Sequence, residues 1–274
     1  MTPTAIRRAL AAGLVWLSVA TLAGQQTPAV APSSPPSTPT PTARAMAPID
    51  LTGYWVSVVT EDWRWRMVTP AKGDYASVPL NADGRKVADA WDLARDKASG
   101  NLCRAFGAAA LLRLPLRVHI TWQDDATLVL ETDAGQQKRL FHFGAATASR
   151  AQPPANERGW QGVSVAEWFK QRQSTGLVLR AAPPAAPVGG NLKVVTTRLR
   201  AGYLRKNGVP YSENTVVTEY FNRHAEPAGE WFTVTSVVED PTYLNEPFIT
   251  SSSFRREPDA SKWHPAPCSV DVPR

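Results

Sequence analysis

Between residues 191 and 258 the chain carries four runs that leave little choice of secondary structure. Leu192–Arg200, Thr215–Arg223, Glu230–Glu239 and Phe248–Glu257 are each rich in Val, Thr, Phe, Tyr and Trp, residues that fit a pleated, half-buried surface. Between them stand Lys206-Asn207-Gly208-Val209-Pro210, Glu226-Pro227-Ala228-Gly229 and Asp240-Pro241-Thr242-Tyr243, where Gly supplies positive φ and Pro ends strand pairing. The pattern predicts an antiparallel meander.

A second meander is predicted upstream over Arg117–Trp122, Thr127–Thr132 and Gln137–Phe143. If its turns pair Trp122 with Thr127 and Thr132 with Gln137, one face receives His119, Leu128, Leu130, Arg139 and Phe141. The other receives Ile120, Trp122, Val129, Glu131, Leu140 and His142. Both faces mix apolar with polar groups, as expected for a barrel wall around a partly polar cavity or for a sheet imperfectly covered on both sides. One amphipathic helix is expected over Asn81–Gly100, with Asn81 as N-cap, Val87, Ala90, Trp91 and Ala94 on one face, and Gly100 at the exit.

The start of the chain speaks to compartment. Arg7 and Arg8 precede an apolar run from Ala9 to Ala23, the pattern of an export signal and short for a membrane span. Gln25 stands where a lipidated Cys would be needed. Residues 25–48 are Pro, Ser, Thr and Ala with few large apolar side chains, which predicts a disordered tether. These readings divide the chain into a signal at 1–24, a linker at 25–48 and one β-rich domain at 49–274, in a periplasmic or secreted protein with no stable membrane span after cleavage.

The formal charge is +6, and loss of Arg7 and Arg8 leaves 28 basic against 24 acidic residues, about +4. That mild balance and the export signal argue against nucleic acid as partner. Trp63-Arg64-Trp65-Arg66 interleaves aromatic and basic residues. On a strand both Trp would enter the core and both Arg would stay wet; the other uses of such a run are a stacking platform for bases or sugars and a surface for the cell envelope.

Cys103 and Cys268 are the two cysteines. In an exported chain an even pair reads as a disulfide, with two buried free thiols as the alternative. The register above separates His119 from His142, and His224 and His264 lack paired spacing, so no metal site is expected, and no cofactor is expected either. Gly162-Val163-Ser164-Val165-Ala166 ends in Ala and lacks the strand-turn-helix setting of a nucleophile elbow. Glu219, between Val217 and Phe221, is the candidate acid or base, since an ionised group in mid-strand needs a partner if buried. Arg198 and Arg200 are the expected partners, in an interior site or in an outward cross-strand ladder.

Gly53-x-Trp55, at the head of the first strand after Ile49-Asp50-Leu51-Thr52, resembles the opening motif of lipocalins and other calycins. That resemblance implies a Trp closing one end of an antiparallel barrel, covered by an Arg of the last strand, here Arg255 or Arg256. Between Leu102 and Pro258, the pieces Trp160-Gln161-Gly162-Val163-Ser164-Val165-Ala166-Glu167-Trp168, Gly208-Val209-Pro210-Tyr211-Ser212-Glu213, Thr218-Glu219-Tyr220-Phe221 and Val238-Glu239-Asp240-Pro241-Thr242-Tyr243 resemble a group of exported bacterial β-rich proteins of unknown function. That likeness implies a shared fold and no activity.

The expected fold class is therefore mainly β: an antiparallel lipocalin-like barrel, or a barrel-like meander, with one amphipathic helix. The expected function is to hold a small, partly apolar, lipid-like molecule in a cavity lined by Trp122, His119, Arg139, Arg198, Glu219 and Tyr220. An enzyme using Glu219 in that cavity, and a cell-envelope interaction protein, are the alternatives.

Overall fold

The computed structural model describes residues 41–150, 157–169, 190–227 and 229–270. The export signal at 1–24, most of the tether and the Pro/Ala run within 170–189 lie outside the described residues.

Nine strands close into a barrel: β1 (Gly53–Val58), β2 (Arg117–Asp124), β3 (Thr127–Thr132), β4 (Lys138–Phe143), β5 (Val163–Phe169), β6 (Asn191–Thr197), and, after a small hairpin of β7 (Gly202–Arg205) and β8 (Val209–Tyr211), β9 (Val216–Glu226), β10 (Gly229–Glu239) and β11 (Phe248–Glu257). The ring runs β1-β11-β10-β9-β6-β5-β4-β3-β2 and back to β1, with β7 and β8 as a separate two-stranded sheet. The expected β-barrel is thus present. An odd ring cannot alternate direction all the way round, so one neighbouring pair must be parallel. That pair is β4 and β5, with Phe141 opposite Ser164 and Phe143 opposite Ala166. A parallel pair needs a crossover rather than a tight turn, and the intervening chain includes α4 (Ala145–Arg150).

Alternation places one side chain in two inside. Trp55, Ile120, Leu128, Leu130, Phe141, Leu192, Phe221, Phe232, Val234 and Phe254 are all buried in one apolar cluster. Phe232 stacks on Phe254 with ring centroids 4.6 Å apart and meets Trp55 edge-on at 5.0 Å. Trp55 donates its indole N–H to the Leu51 carbonyl at 2.9 Å, and the Arg256 guanidinium lies 5.6 Å from its ring. These side chains pack against one another across the middle of the barrel, the region where a ligand cavity was expected.

The two ends differ. One is covered by the 3-10 turns at Leu102–Phe106 and Leu111–Arg113, by the β7–β8 hairpin and by the helices, around a second apolar cluster that includes Leu80, Leu204, Tyr211, Val217 and Leu244. The single helix expected over Asn81–Gly100 is divided into α2 (Ala82–Asp89) and α3 (Leu93–Ala98). Asn81 accepts from the Gly84 amide, and Asp92 restarts the helix by accepting from the amides of Ala94 and Arg95. Trp91 sits in the break and packs on the turn of the hairpin at Gly208, whose φ is +84° and where a Cβ would come within 2.2 Å of the Trp91 side chain. Only glycine serves there. The expected disulfide joins Cys103 to Cys268 and fastens the C-terminal tail to this end.

Across the other end runs a strap, the segment before β1. Residues 41–48, expected as the last part of the tether, are held to the barrel: the Trp168 indole donates to the Ala43 carbonyl at 2.7 Å, and the Arg44 amide donates to the Asp125 carbonyl at 3.1 Å. Ala43 and Ile49 pack against the main core.

Candidate functional site

Two polar arrangements stand out on the barrel, one sealed inside it and one at the mouth crossed by residues 41–50. The sealed one is built by register. Leu130 pairs with Arg139 across β3 and β4, Ser164 with Thr196 across β5 and β6, and Val194 with Glu219 across β6 and β9. Arg139 and Glu219 therefore both point inward from walls far apart in sequence. Arg139 donates to both carboxylate oxygens of Glu219, at 3.0 and 2.6 Å, and also to the Thr196 hydroxyl at 3.1 Å, which in turn shares a 2.8 Å hydrogen bond with Ser164. The two charged side chains are 0 % and 1 % exposed. A bidentate pair with such burial holds its own charges; both oxygens a general base would use already accept from Arg139.

The mouth offers more to a ligand. Asp50, Thr52, Trp122, Arg223, His224 and Glu230 line a recess of about 580 Å³, with Arg44, Ala47 and Pro48 forming its edge on the strap side. Arg223 and Arg256 both pair with Glu230. The hydrogen bond from Arg256, reinforced by the charge of Arg223, holds the Glu230 carboxyl below its ordinary value. Beside the recess lies an aromatic group: Trp122 is 5.4 Å from Phe143 and 6.3 Å from Trp168, and Phe143 is 4.9 Å from Trp168. On the far side of the strap a second, less polar recess of about 480 Å³ is lined by Ala43, Met46, Phe143, Ala166 and Trp168. The strap thus divides a polar recess from an apolar one, and Trp122 and Phe143 connect them.

Of the six residues expected to line a cavity, Arg139 and Glu219 meet inside, and Trp122 faces inward at the mouth. The other three lie elsewhere. His119 is on the outer face, stacked on Tyr54 at 4.1 Å between centroids and 3.7 Å from Glu131. A β-bulge between Trp122 and Asp124 causes this: Asp124 pairs with Thr127 and Trp122 with Leu128, one position off the expected register. His119 and His142 consequently share the outer face instead of being separated by the wall, but they stand four β3 positions apart, since His119 pairs with Glu131 and Thr127 with His142. That is about 13 Å along the strand. Among the described residues no group of three or more His, Cys, Asp or Glu is arranged to hold a metal ion. Tyr220 also faces out, opposite Thr235 and Lys193, and Arg198 falls just past β6 in a left-handed backbone conformation with φ 58°. The partner of Glu219 is Arg139, not Arg198 or Arg200; Arg200 lies over the Trp160 ring at 4.4 Å.

One further expectation is reversed. Trp63–Arg66 is a helical turn, α1, not a strand; Trp63 is 65 % exposed while Arg66 is buried. Ser164 lies on a strand, not at a strand-turn-helix elbow, with its hydroxyl turned to Thr196. Pieces read as scattered motifs do converge: buried Asp240 accepts from the Ser212 amide and hydroxyl at 2.5 and 2.8 Å and from Thr215 at 3.0 Å, tying the end of β10 to the turn after β8. Sequence reasoning missed Arg223, His224 and Glu230. Their signal was the strand end next to the 226–229 turn, where Arg223 and Glu230, on the same face as Phe221 and Phe232, can point inward without entering the core.

No family model matches this chain, and no curated protein or solved structure is significantly similar to it.

Proposed function

We propose that the chain is an exported β-barrel binding protein of lipocalin-like plan that holds a small, partly apolar molecule at the strap-covered mouth of the barrel, not at its centre. The observation that carries this reading is the position of Trp122, whose ring belongs to the Trp122–Phe143–Trp168 group and also borders the recess with Arg223, His224 and Glu230. Recesses of 300–1,000 Å³ with a few convergent polar groups are the usual form of a small-molecule site. A ligand with a flat apolar portion against Trp122 and an anionic or hydrogen-bonding end toward Arg44, Arg223 and His224 matches that lining. The Arg256 guanidinium over Trp55 supports the kinship of plan. The disulfide supports export, since such bonds persist in oxidising compartments. Among the described residues no helix is long and apolar enough to cross a membrane.

The test is displacement of 1-anilinonaphthalene-8-sulfonate by a panel of amphiphilic carboxylates. Saturable dye binding, displaced by panel members and weakened at least tenfold by Arg223→Ala together with Trp122→Ala, is the expected result. Absence of saturable dye binding and of any panel effect on tryptophan emission overturns the reading.

A further inference from the structure

At the opposite end of the barrel, away from the proposed ligand recess, three arginines from separate parts of the chain converge on one small enclosed space. Arg66 ends α1, Arg113 ends the second 3-10 turn and Arg205 ends β7, and all three are buried. The space they line together with Trp65, Ala105, Ala110 and Leu204 measures about 20 Å³. A bulge between Tyr203 and Arg205 in the hairpin register directs the Arg205 side chain there.

The three guanidiniums are not equally provided for. Arg66 donates to the Arg113 carbonyl at 2.7 Å and pairs with Glu61. Arg113 donates one nitrogen to Asp62 at 2.9 Å, while its other terminal nitrogen is buried without a partner. Arg205 is 4 % exposed, and none of its three side-chain nitrogens has a hydrogen-bond partner. Its guanidinium carbon lies 4.9 Å from the centre of the Trp65 ring. Burial, with the neighbouring charge of Arg113, pulls the Arg205 guanidinium down to about 10, still protonated at neutral pH. Lys206, whose ammonium lies 5.5 Å from the Phe106 ring, also borders the space, so cations outnumber the two nearest carboxylates, Glu61 and Asp62; Asp74, the next acid, is taken up by Arg64 at 2.7 Å.

We propose that this space is a binding site for a single small anion of halide size, held by Arg205 and the free nitrogen of Arg113. A buried guanidinium without acceptors costs far more than an ordinary unmade hydrogen bond. One negative charge would supply the missing acceptor and offset part of the excess positive charge. Size selects the occupant: about 20 Å³ admits one water-sized particle and no more, so sulfate, phosphate and carboxylate-bearing ligands do not fit. A neutral water would fill the space but leave the excess charge. The ion would pin α1, the turn at 111–113 and the β7–β8 hairpin to one another, and so brace the barrel end that the disulfide also fastens.

Two measurements test it. Crystals grown in sodium bromide should show an anomalous peak within hydrogen-bonding distance of Arg205 and Arg113. In solution, thermal unfolding of the full chain at constant ionic strength, with bromide replacing gluconate, should show a saturable rise in Tm, as binding to the folded state alone requires. Arg205→Met should abolish the bromide dependence. The wild-type measurements alone can overturn the site, whether or not that variant folds: no anomalous peak, or identical unfolding in bromide and gluconate, leaves only water in the space.

Discussion

Arg139 and Glu219 stand 80 residues apart in the chain and meet two-on-two inside the barrel, at 3.0 and 2.6 Å, with Thr196 occupying a further guanidinium proton. The pair bridges β4 and β9 across a wall of Phe and Leu, and Arg139 also lies 4.9 Å from the Phe141 ring. The net gain in stability from a pair sealed in this way is small, because both charges gave up water to enter.

Removing one partner leaves the other charge buried. Glu219→Gln is therefore expected to destabilise the fold by about 3–5 kcal/mol, read from urea unfolding. Replacing both residues with apolar ones of similar volume, Arg139→Met with Glu219→Leu, should cost much less than the sum of the single changes. A Glu219→Gln protein of wild-type stability would contradict this structural role.

The bond between Cys103 and Cys268 closes a loop with a sequence separation of 165 residues. Chain entropy then gives up to about 5 kcal/mol of stabilisation. The double variant Cys103→Ser, Cys268→Ser should lose a large part of that in urea, and reductant should reproduce the loss in the wild type and change nothing in the variant. A reductant effect in the cysteine-free protein would point to another cause.

How far the sequence reached is clearest at particular residues. Strand identity was legible wherever β-branched and aromatic runs met Gly or Pro: Phe248–Glu257 is observed with the bounds expected, and Val216–Glu226 and Gly229–Glu239 differ from theirs by a few residues. Which way side chains face depends on single residues. Gln123, the extra residue in the β2 bulge, turned His119 outward and Trp122 inward. The parallel pairing of β4 with β5 follows from closure of the whole ring, which no local pattern encodes. Glu219 announced itself as a charge in mid-strand, yet its partner came from a strand far away in sequence. The strap was hidden because Pro, Thr and Ala at residues 41–48 resemble an unstructured tether, and its anchor is a tryptophan more than a hundred residues later.

His142 supplies a pH dependence. Its ring is buried on β4, its Nδ1 lacks a hydrogen-bond partner, and burial pulls its pKa below the ordinary value, with Asp124 opposing weakly. The unfolded chain therefore takes up this proton first, near pH 6.5. The contribution to stability is complete above that pH and declines as pH falls from there toward the lower value of the folded state. His142→Gln should unfold with a shallower loss between pH 6.5 and pH 5.5 than the wild type. Parallel pH profiles for the two proteins would remove His142 from the account.

The strap gives the last prediction. Its attachment rests on the Trp168 indole donating to the Ala43 carbonyl and on the Arg44 amide donating to Asp125. Trp168→Phe keeps an aromatic ring beside Phe143 but deletes the donor, a change of about 1 kcal/mol for a hydrogen bond of this type. Since so few contacts hold the segment, that loss should appear as local opening rather than global unfolding. Hydrogen exchange should quicken several-fold at Arg44 and Met46, whose amides are bonded in place, while β9 to β11 keep their protection. If the strap governs access to the mouth, dissociation of a bound dye should quicken in the same variant. Faster exchange at residues 44–46 with unchanged dye release would mean that this segment covers the barrel end without guarding it.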